Sequence, residues 1–300
     1  MALRLAGWLL LWSGALAAPV AAADLTPFKG ATAQDDDAFD VETKAFLMSD
    51  YIYRGVSLSQ RKPSAGSSVE ATWHKFYVGA NVQSVDLPTQ PASEVTWSAG
   101  YRWQPNDFEF DFGITYFWYP GEILADGQPG TSYLEYVLNI EGPLIKGPRD
   151  GKDPVTLKAQ LAYSPNISGT GAWGAYSEMR LEVALPRLSM PAGVDWQLNA
   201  GAGYWRFGDT SPMLGGFALP AYANWLVGVE FNYKDHLLLD LSYVDTNLSR
   251  EDCFVFTGDT MATGGGVINP VSNPDGLRSR LCGAAFLATL TAKFNLSDLK

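Results

Sequence analysis

From residue 41 to residue 294, apolar residues alternate with polar or small residues, and this alternation constrains the fold more than any other feature of the chain. In one segment, Val194, Trp196 and Leu198 are separated by single polar residues. A period of two places successive side chains on opposite faces of a β-strand, whereas a helix would space its apolar residues three and four apart. The alternation therefore predicts strands with one apolar and one polar face. About twelve such segments follow one another: 41–54, 67–74, 76–86, 94–103, 107–119, 132–141, 154–164, 174–185, 193–206, 222–233, 235–245 and 282–294.

The connections between these segments fall into two classes that alternate along the chain. Every second connection, starting with the first, is long: 55–66, 87–93, 120–131, 165–173, 207–221 and 246–281. The others are 74–75, 104–106, 144–153, 186–192 and 234–235, and three of these five are tight. Short periplasmic turns that alternate with long outside loops are typical of outer-membrane barrels, which close an even number of antiparallel strands. The sequence therefore predicts an all-β transmembrane antiparallel β-barrel of about twelve strands.

The composition agrees with a barrel and excludes several other classes of protein. Only 18% of the residues are charged, and no run of 18 apolar residues follows Asp24, which excludes a helical membrane protein. The net charge of −11 argues against nucleic-acid binding. Trp and Tyr residues collect near the ends of predicted strands, Tyr119 and Trp205 among them, as in the aromatic girdles of membrane barrels. In the alternative, a soluble β-sandwich, these rings would fill the core.

The N-terminal segment has the features of an export signal. Arg4 precedes a short apolar stretch at residues 5–12, and residues 15–17 and 21–23 are two candidate cleavage sites, of which we favour the second. The apolar stretch is too short to span a bilayer, which argues against an N-terminal anchor. We expect a signal peptide at 1–23, a polar tail at 24–40, the barrel at 41–294 and a C-terminal tail at 295–300. The mature chain would then reside in the outer membrane of a Gram-negative bacterium.

The polar faces of the predicted strands carry more acidic than basic residues. An acidic, water-filled lumen would favour cations. Alternatively, internal salt bridges could close the lumen, since twelve strands fall between the filled eight-stranded barrels and the open sixteen-stranded ones. The predicted pore-lining residues are Glu70, Glu94, Arg102, Glu109, Asp111, Glu135, Lys158, Glu178, Arg180, Glu182, Asp195, Glu230 and Asp240, and Arg54 belongs to the same inward basic set.

The two cysteines, Cys253 and Cys282, flank most of the longest connection. Export would place them in an oxidising compartment, which predicts a disulfide. By constraining the unfolded chain, this disulfide would stabilise the folded protein by roughly 3–4 kcal/mol. With no CxxC pair and with His74 and His236 far away in sequence, no metal or other cofactor is expected. No G-x-S-x-G segment occurs, so we expect no enzymatic activity.

Residues 49–60, SDYIYRGVSLSQ, carry a resemblance to a known family. This block closely resembles the opening strand of the TorF-type porin family, also called Gcw_chp, of proteobacterial proteins with no defined substrate. Weaker similarities continue through residues 76–79, 84–86, 99–101, 112–116, 119–121, 133–135, 163–165, 225–229 and 241–246. The resemblance implies an outer-membrane barrel that acts as a porin. The family-motif residues are Ser49, Asp50, Tyr51, Tyr53, Arg54 and Gly55.

One feature departs from many outer-membrane barrels, which end on an aromatic residue read by the assembly machinery. Here Phe294 is followed by six further residues, 295–300. This weakens the assembly signal but leaves the strand pattern unchanged.

Together these observations predict a porin-like channel for passive diffusion of small hydrophilic solutes or ions, with a preference for cations. The last long loop would act as a constriction or lid. The expected partners are outer-membrane lipid, the solutes and the barrel-assembly machinery, with no nucleic acid. The alternatives are a non-conducting barrel with a structural or surface-interaction role and, third, a soluble secreted β-protein.

Overall fold

The computed structural model describes residues 39–147, 153–186, 190–266 and 269–299. The predicted signal peptide at 1–23 and nearly all of the polar tail at 24–40 lie outside these residues, so both remain predictions. Within the described part of the chain, no helix has the length and hydropathy needed to cross a bilayer.

Twelve antiparallel strands form one closed barrel. Each strand pairs with the next one along the chain, and the first closes the barrel by pairing with the last, from Glu42 with Asn295 to Met48 with Thr289. The predicted fold class and strand number are therefore confirmed. The strands are β1 (Phe39–Met48), β2 (Ser64–Trp73), β3 (Phe76–Gln83), β4 (Glu94–Trp103), β5 (Glu109–Trp118), β6 (Tyr133–Ile145), β7 (Val155–Ser164), β8 (Gly174–Ala184), β9 (Val194–Phe207), β10 (Tyr222–Tyr233), β11 (Leu237–Thr246) and β12 (Ala285–Asn295).

The two faces of the barrel wall follow the period-two pattern of the sequence. Trp97, Phe112 and Leu161 point outward and remain about half exposed, at 53%, 47% and 51%. Glu70 and Asp111 lie on the opposite face and are buried. A soluble sandwich would bury the apolar face in its core, whereas here that face covers the outside of a closed wall. An apolar outside with a polar inside is the arrangement of a barrel that spans a membrane.

The two ends of the barrel differ in their connections. At one end the strands are joined by the short connections 74–75, 104–108, 146–154, 185–193 and 234–236, and we call this the short-turn end. The two tightest turns, 74–75 and 234–236, have positive φ at His74 (55°), Lys234 (53°) and Asp235 (59°), and left-handed residues of this kind match the twist of a hairpin. The other end, which we call the loop end, carries the six remaining connections, and the shortest of these, 165–173, equals 146–154 and 185–193 in length.

The first long connection departs from the prediction. The predicted strand 41–54 ends at Met48, and residues 49–63 turn into the barrel instead of continuing its wall. There Ile52–Tyr53 pairs with Val56–Ser57 in a short hairpin. We call residues 49–63 the hairpin segment. The assignment of the family motif to the first strand is therefore wrong.

The physical reason lies in the alternation itself. Inward side chains of β1 have even numbers, so a longer strand would have placed Tyr51 and Tyr53 on the outside. The bend after Met48 sends both rings into the interior, where they are 0% and 2% exposed. The carboxylate of Asp50 stabilises this bend by accepting hydrogen bonds from the hydroxyls of Ser57 and Ser59, at 2.7 and 2.9 Å.

The last long connection also has structure of its own. It contains an eight-residue helix, α1 (Arg250–Thr257), whose N-cap Ser249 accepts a hydrogen bond from the backbone of Asp252. Cys253 in α1 forms a disulfide with Cys282, as the sequence predicts.

Candidate pore and its closing hairpin

An apolar core fills the loop-end half of the barrel interior. It combines the hairpin segment, inward side chains near the strand ends and buried residues of the long loops. Phe256 of α1 lies over this core, with its ring 5.2 Å from that of Phe207 and 5.4 Å from that of Tyr222. We call this cluster the loop-end core: Met48, Tyr51, Tyr53, Val56, Leu58, Leu87, Phe117, Tyr119, Tyr133, Ala162, Ile167, Ala172, Tyr176, Trp205, Leu219, Tyr222, Cys253, Val255, Phe256, Leu281 and Cys282.

Arg54 at the tip of the hairpin segment fixes it to the barrel wall. Its two terminal nitrogens each donate a 2.9 Å hydrogen bond to one oxygen of Glu135 on β6, and Nη2 also reaches Gln160 on β7 at 3.4 Å. Both charged side chains are almost fully buried, at 4% and 3% exposure. Burial alone would lower the pKa of Arg54, but the Glu135 carboxylate raises it above its ordinary value, so the guanidinium remains charged.

Aromatic rings surround the rest of the Arg54 guanidinium. Its central carbon lies 4.0 Å from the ring centre of Tyr176, 4.4 Å from Trp205 and 4.5 Å from Tyr53. The turn that presents Arg54 has positive φ at Arg54 (43°) and Gly55 (85°). At Gly55 a Cβ would lie 2.2 Å from Cγ2 of Thr246, so only glycine fits this close approach.

A second polar contact joins the hairpin segment to the wall. The hydroxyl of Tyr51 donates a 2.8 Å hydrogen bond to Glu94 on β4, and Tyr119 donates another at 3.1 Å. Glu94 is fully buried. The hairpin segment is therefore attached through two carboxylates of the wall, Glu135 and Glu94.

The short-turn half of the interior contains a cavity of about 1560 Å³, which reaches from the hairpin segment to the short turns. Acidic residues dominate its lining: fourteen carboxylates face six basic side chains among the described residues. The acidic residues are Asp50, Glu70, Asp107, Glu109, Asp111, Glu135, Glu141, Asp153, Glu178, Glu182, Asp195, Glu230, Asp235 and Asp240, and the basic ones are Lys44, Arg54, Arg102, Lys158, Arg180 and Lys293.

Each basic residue of this lining pairs with a carboxylate. Arg102 binds Glu70 through two hydrogen bonds of 2.8 and 3.0 Å and lies 4.1 Å above the ring of Tyr77. Lys158 pairs with Glu182 at 2.7 Å. The remaining pairs are Lys44 with Glu42, Arg54 with Glu135, Arg180 with Glu178 and Lys293 with Glu42. Lys44 and Lys293 share Glu42, so the six basic groups use only five carboxylates, and most carboxylates of the lining have no basic group of the lining paired with them in these contacts.

The structure places all thirteen predicted pore-lining residues inside the barrel. Twelve of them line the cavity, whereas Glu94 lies in the loop-end half beside Tyr51. Salt bridges therefore do form inside, as the alternative reading of the lumen expected, but they leave the short-turn half hollow. Conduction through this lining remains a prediction.

Sequence reasoning missed the aromatic part of the site. Tyr119 and Trp205, which the aromatic pattern assigns to the membrane girdle, are instead 2% and 1% exposed in the loop-end core. The sequence did contain a signal for Trp205, because it shares the odd-numbered, inward parity of Asp195 on β9. Tyr176 likewise shares the parity of its inward neighbour Glu178.

Comparisons with solved structures give remote likenesses to membrane barrels. An outer-membrane channel from Pseudomonas putida F1 is 9% identical, with 89% of this chain and all of that chain covered and a TM-score of 0.40. LpxR from Salmonella typhimurium is also 9% identical, with 84% and 99% covered and a TM-score of 0.37. The channel DcaP of Acinetobacter baumannii is 8% identical, with 85% and 72% covered and a TM-score of 0.35. Likenesses at this level of identity and TM-score concern the fold at most. A comparison with curated proteins found no match to the chain.

The family model gives a more specific result. It matches residues 32–264, which include the hairpin segment and eleven of the twelve strands. The chain therefore belongs to the Gcw_chp family, described as bacterial proteins of unknown function.

Proposed function

We propose that this protein is an outer-membrane channel for small hydrophilic solutes, with a preference for cations and with the hairpin segment as its gate. The observation that carries the proposal is the acidic cavity of about 1560 Å³ inside a closed barrel whose outer face is apolar. Charged side chains favour a water-filled space, and a water-filled lumen lined by charges is the kind of path that small hydrophilic solutes can use.

The apolar outer wall supports a membrane location. Side chains such as Val78, Met179 and Val227 are more than half exposed on that wall, which would be unfavourable in water. Since closed barrels with this face pattern occur in outer membranes, the proposed location is the outer membrane, with its lipid as the surrounding partner. The barrel-assembly machinery remains the expected partner during insertion.

The charge of the cavity supports selectivity for cations. Fourteen carboxylates against six basic groups give the lining an excess of eight negative charges when all are ionised. A narrow wall of low polarity concentrates this field, so cations would be enriched and anions excluded.

The position of the hairpin segment inside the barrel favours a gated channel over a permanently open one. The cavity ends at Tyr53, Arg54 and Gly55, and the loop-end core lies beyond them. Passive diffusion along the full barrel therefore requires the hairpin segment to move. The constriction would come from the first long loop, with α1 of the last long loop packed above it.

The loop-end core also favours the second candidate function, a non-conducting barrel. A core of this size could hold the barrel shut permanently, and the loops would then serve surface interactions. No catalytic activity is proposed for either candidate.

Planar-bilayer recording of the purified, refolded protein decides between the two. The channel proposal expects discrete openings and a cation-directed reversal potential in a KCl gradient. Insertion without any current would support the non-conducting barrel, and an anion-directed reversal potential would contradict the cation preference. Heat-modifiable migration on a semi-native gel would establish that the barrel has folded.

Two cavity carboxylates test whether the lining sets the selectivity. The double variant Glu109→Gln with Glu230→Gln removes two negative charges from the short-turn half. We expect the reversal potential to move toward zero. The matched control is Asp126→Asn, which removes a charge from an exposed loop residue and should leave the reversal potential unchanged.

A further inference from the structure

The surroundings of Arg54 form a site with the geometry of a guanidinium receptor. One carboxylate accepts two parallel hydrogen bonds, and rings lie within 4.5 Å of the central carbon. Paired oxygens match the planar fork of a guanidinium, whereas an ammonium offers a compact charge that cannot use both oxygens in this way. Stacked rings add cation–π attraction for a flat cation. We call Glu135, Gln160, Tyr176 and Trp205 the guanidinium cage.

The guanidinium that occupies this cage, that of Arg54, belongs to the chain itself. Arg54 lies at a two-residue turn of the hairpin segment, and its own backbone has a positive φ of 43°, a conformation that non-glycine residues rarely adopt. Its buried Nε makes no hydrogen bond to any residue in the described part of the chain. The cage therefore binds Arg54 through two of its three nitrogens, from a strained position.

The cage is also within reach of solutes. Glu135 and Gln160 line the cavity that opens toward the short turns, and so does Asn139, whose side chain accepts a 3.0 Å hydrogen bond from Gln160. A small cation that has entered the acidic cavity meets this polar side of the cage first. The aromatic side belongs to the loop-end core, which would be exposed to the solute only when Arg54 leaves.

We propose that the guanidinium cage is a binding site for a solute that carries a guanidinium group, and that Arg54 occupies it as an intramolecular competitor. Binding of the solute displaces Arg54 and frees the hairpin segment. The physiological role of this exchange depends on the proposed channel, but the binding itself can be measured without conduction.

Calorimetric titration of the folded protein in detergent tests the binding, with ethylguanidine as the probe and propylamine as its ammonium counterpart. We expect saturable binding of ethylguanidine to the wild type, and at least tenfold weaker binding of propylamine. Arg54→Ala should bind ethylguanidine at least tenfold more tightly, because it lacks a competitor whose effective concentration is about millimolar. Arg54→Gln, which keeps most of the side-chain stem, serves if the alanine variant does not fold.

A second arginine provides the matched control. Arg278 also pairs with a carboxylate, that of Glu251 at 2.6 Å, but it lies in the last long loop and does not line the cavity. Arg278→Ala should therefore leave the affinity for ethylguanidine unchanged, whereas Glu135→Gln should weaken it at least tenfold. If the wild type binds no ethylguanidine and only Arg54→Ala does, the proposal is overturned, because the cage then serves only to hold Arg54. Equal gains in affinity in the Arg54 and Arg278 variants would overturn it as well.

Displacement of the hairpin segment can be followed separately. The two cysteines of the chain form the disulfide, so Val56→Cys introduces the only reactive thiol. Val56 is 1% exposed, and maleimide should label the introduced thiol slowly. Saturating ethylguanidine should accelerate labelling several-fold, and an unchanged rate would contradict displacement. A wild type that binds ethylguanidine but carries no current would reject the channel while keeping the site.

Discussion

The two halves of the barrel interior are built from the same strands but filled in opposite ways. In the loop-end half, inward positions carry rings such as Phe117, Tyr176 and Trp205, and the hairpin segment packs among them. In the short-turn half, the same faces carry charged residues such as Asp111 and Lys158 around a cavity. The alternation of a strand decides only which side chains point inward. Whether that interior is closed or hollow depends on what those side chains are and on whether another segment reaches them.

The two halves also hold buried ion pairs in different surroundings. The Arg54–Glu135 pair lies against aromatic rings at 4% and 3% exposure, and the Arg102–Glu70 pair of the short-turn half is buried to a similar degree, at 9% and 3%. The Arg180–Glu178 pair is somewhat more exposed, at 10% and 19%. A buried pair is costly to break because the remaining partner loses its counter-charge where water does not replace it. The contact that attaches the hairpin segment to the wall is therefore costly to break.

Removal of the hairpin segment should open the loop-end half as well, and we expect it to have the largest effect on the conductance of the barrel. We expect replacement of residues 51–60 by a Gly-Ser linker to raise the single-channel conductance more than about tenfold, because the cavity would then extend through a twelve-stranded barrel. Planar-bilayer recording measures this. The same replacement at residues 122–128, in a loop outside the hairpin segment, should leave the conductance close to that of the wild type. Unchanged current in both variants would show that the remaining loop-end core closes the barrel alone.

Truncation of a ring in the loop-end core should destabilise the protein strongly. Trp205 is 1% exposed and contacts Tyr53, Tyr176 and Tyr222. We expect Trp205→Ala to lower the free energy of unfolding by about 3–5 kcal/mol, as for other buried aromatic residues. Denaturant titration of the refolded protein measures the loss. The matched variant Trp97→Ala changes a ring on the outer wall, and a loss equal to that of Trp205→Ala would contradict the existence of a packed core.

The disulfide should matter slightly less, because it constrains only the last long loop. Cys253 and Cys282 are 29 residues apart in sequence. The double variant Cys253→Ser with Cys282→Ser should lose about 3 kcal/mol through the larger entropy of the unfolded chain. Its conductance should stay close to that of the wild type, because Arg54 still fixes the hairpin segment. Unfolding of wild-type protein with and without reductant provides an independent check.

The smallest expected effect concerns the pH dependence of the last long loop. A hydrogen bond from Arg278, at 2.6 Å, lowers the pKa of the Glu251 carboxyl in α1 below its ordinary value of 4.5. A lowered pKa in the folded state contributes stability above the ordinary value, and this stability is lost as the pH falls through the folded pKa. Proteolysis of the loop should therefore be faster at acidic than at neutral pH. Glu251→Gln should remove most of this difference, and an unaltered pH dependence in that variant would contradict the assignment.

Particular strands show how far the sequence predicts the fold. The predicted segments 94–103 and 222–233 coincide with β4 and β10, because an unbroken alternation runs to both of their ends. Strand β6 continues to Ile145, beyond the predicted end at 141, since the wall accommodates Pro143 by a shift in register. In a sequence, proline predicts a turn or the end of a strand. Whether the strand continues past it through a bulge depends on how the neighbouring strand pairs with it.

The candidate site was predictable in one half and not in the other. Parity alone placed Glu70, Lys158 and Glu182 in the interior, because it is a local property of each strand. The contact between Arg54 and Glu135 joins residues 81 positions apart, and it depends on a bend that interrupts the alternation. No local pattern distinguishes such a bend from the end of a strand.

The sequence by itself determined the barrel. The number of strands, the alternation of the connections, the apolar outside and the acidic inside follow from local periodicity and spacing, and the disulfide follows from two cysteines in an exported chain. The tertiary structure alone decided that the family motif leaves the wall and closes the loop-end half. The reason is physical. The alternation of a strand fixes the direction of each side chain relative to its own backbone. The conformation of a loop depends on side chains of distant strands, which provide the space it fills and the charges it pairs with. In this barrel, Glu135 and the inward rings of Tyr176 and Trp205 form a site that fits one guanidinium, and Arg54 occupies it.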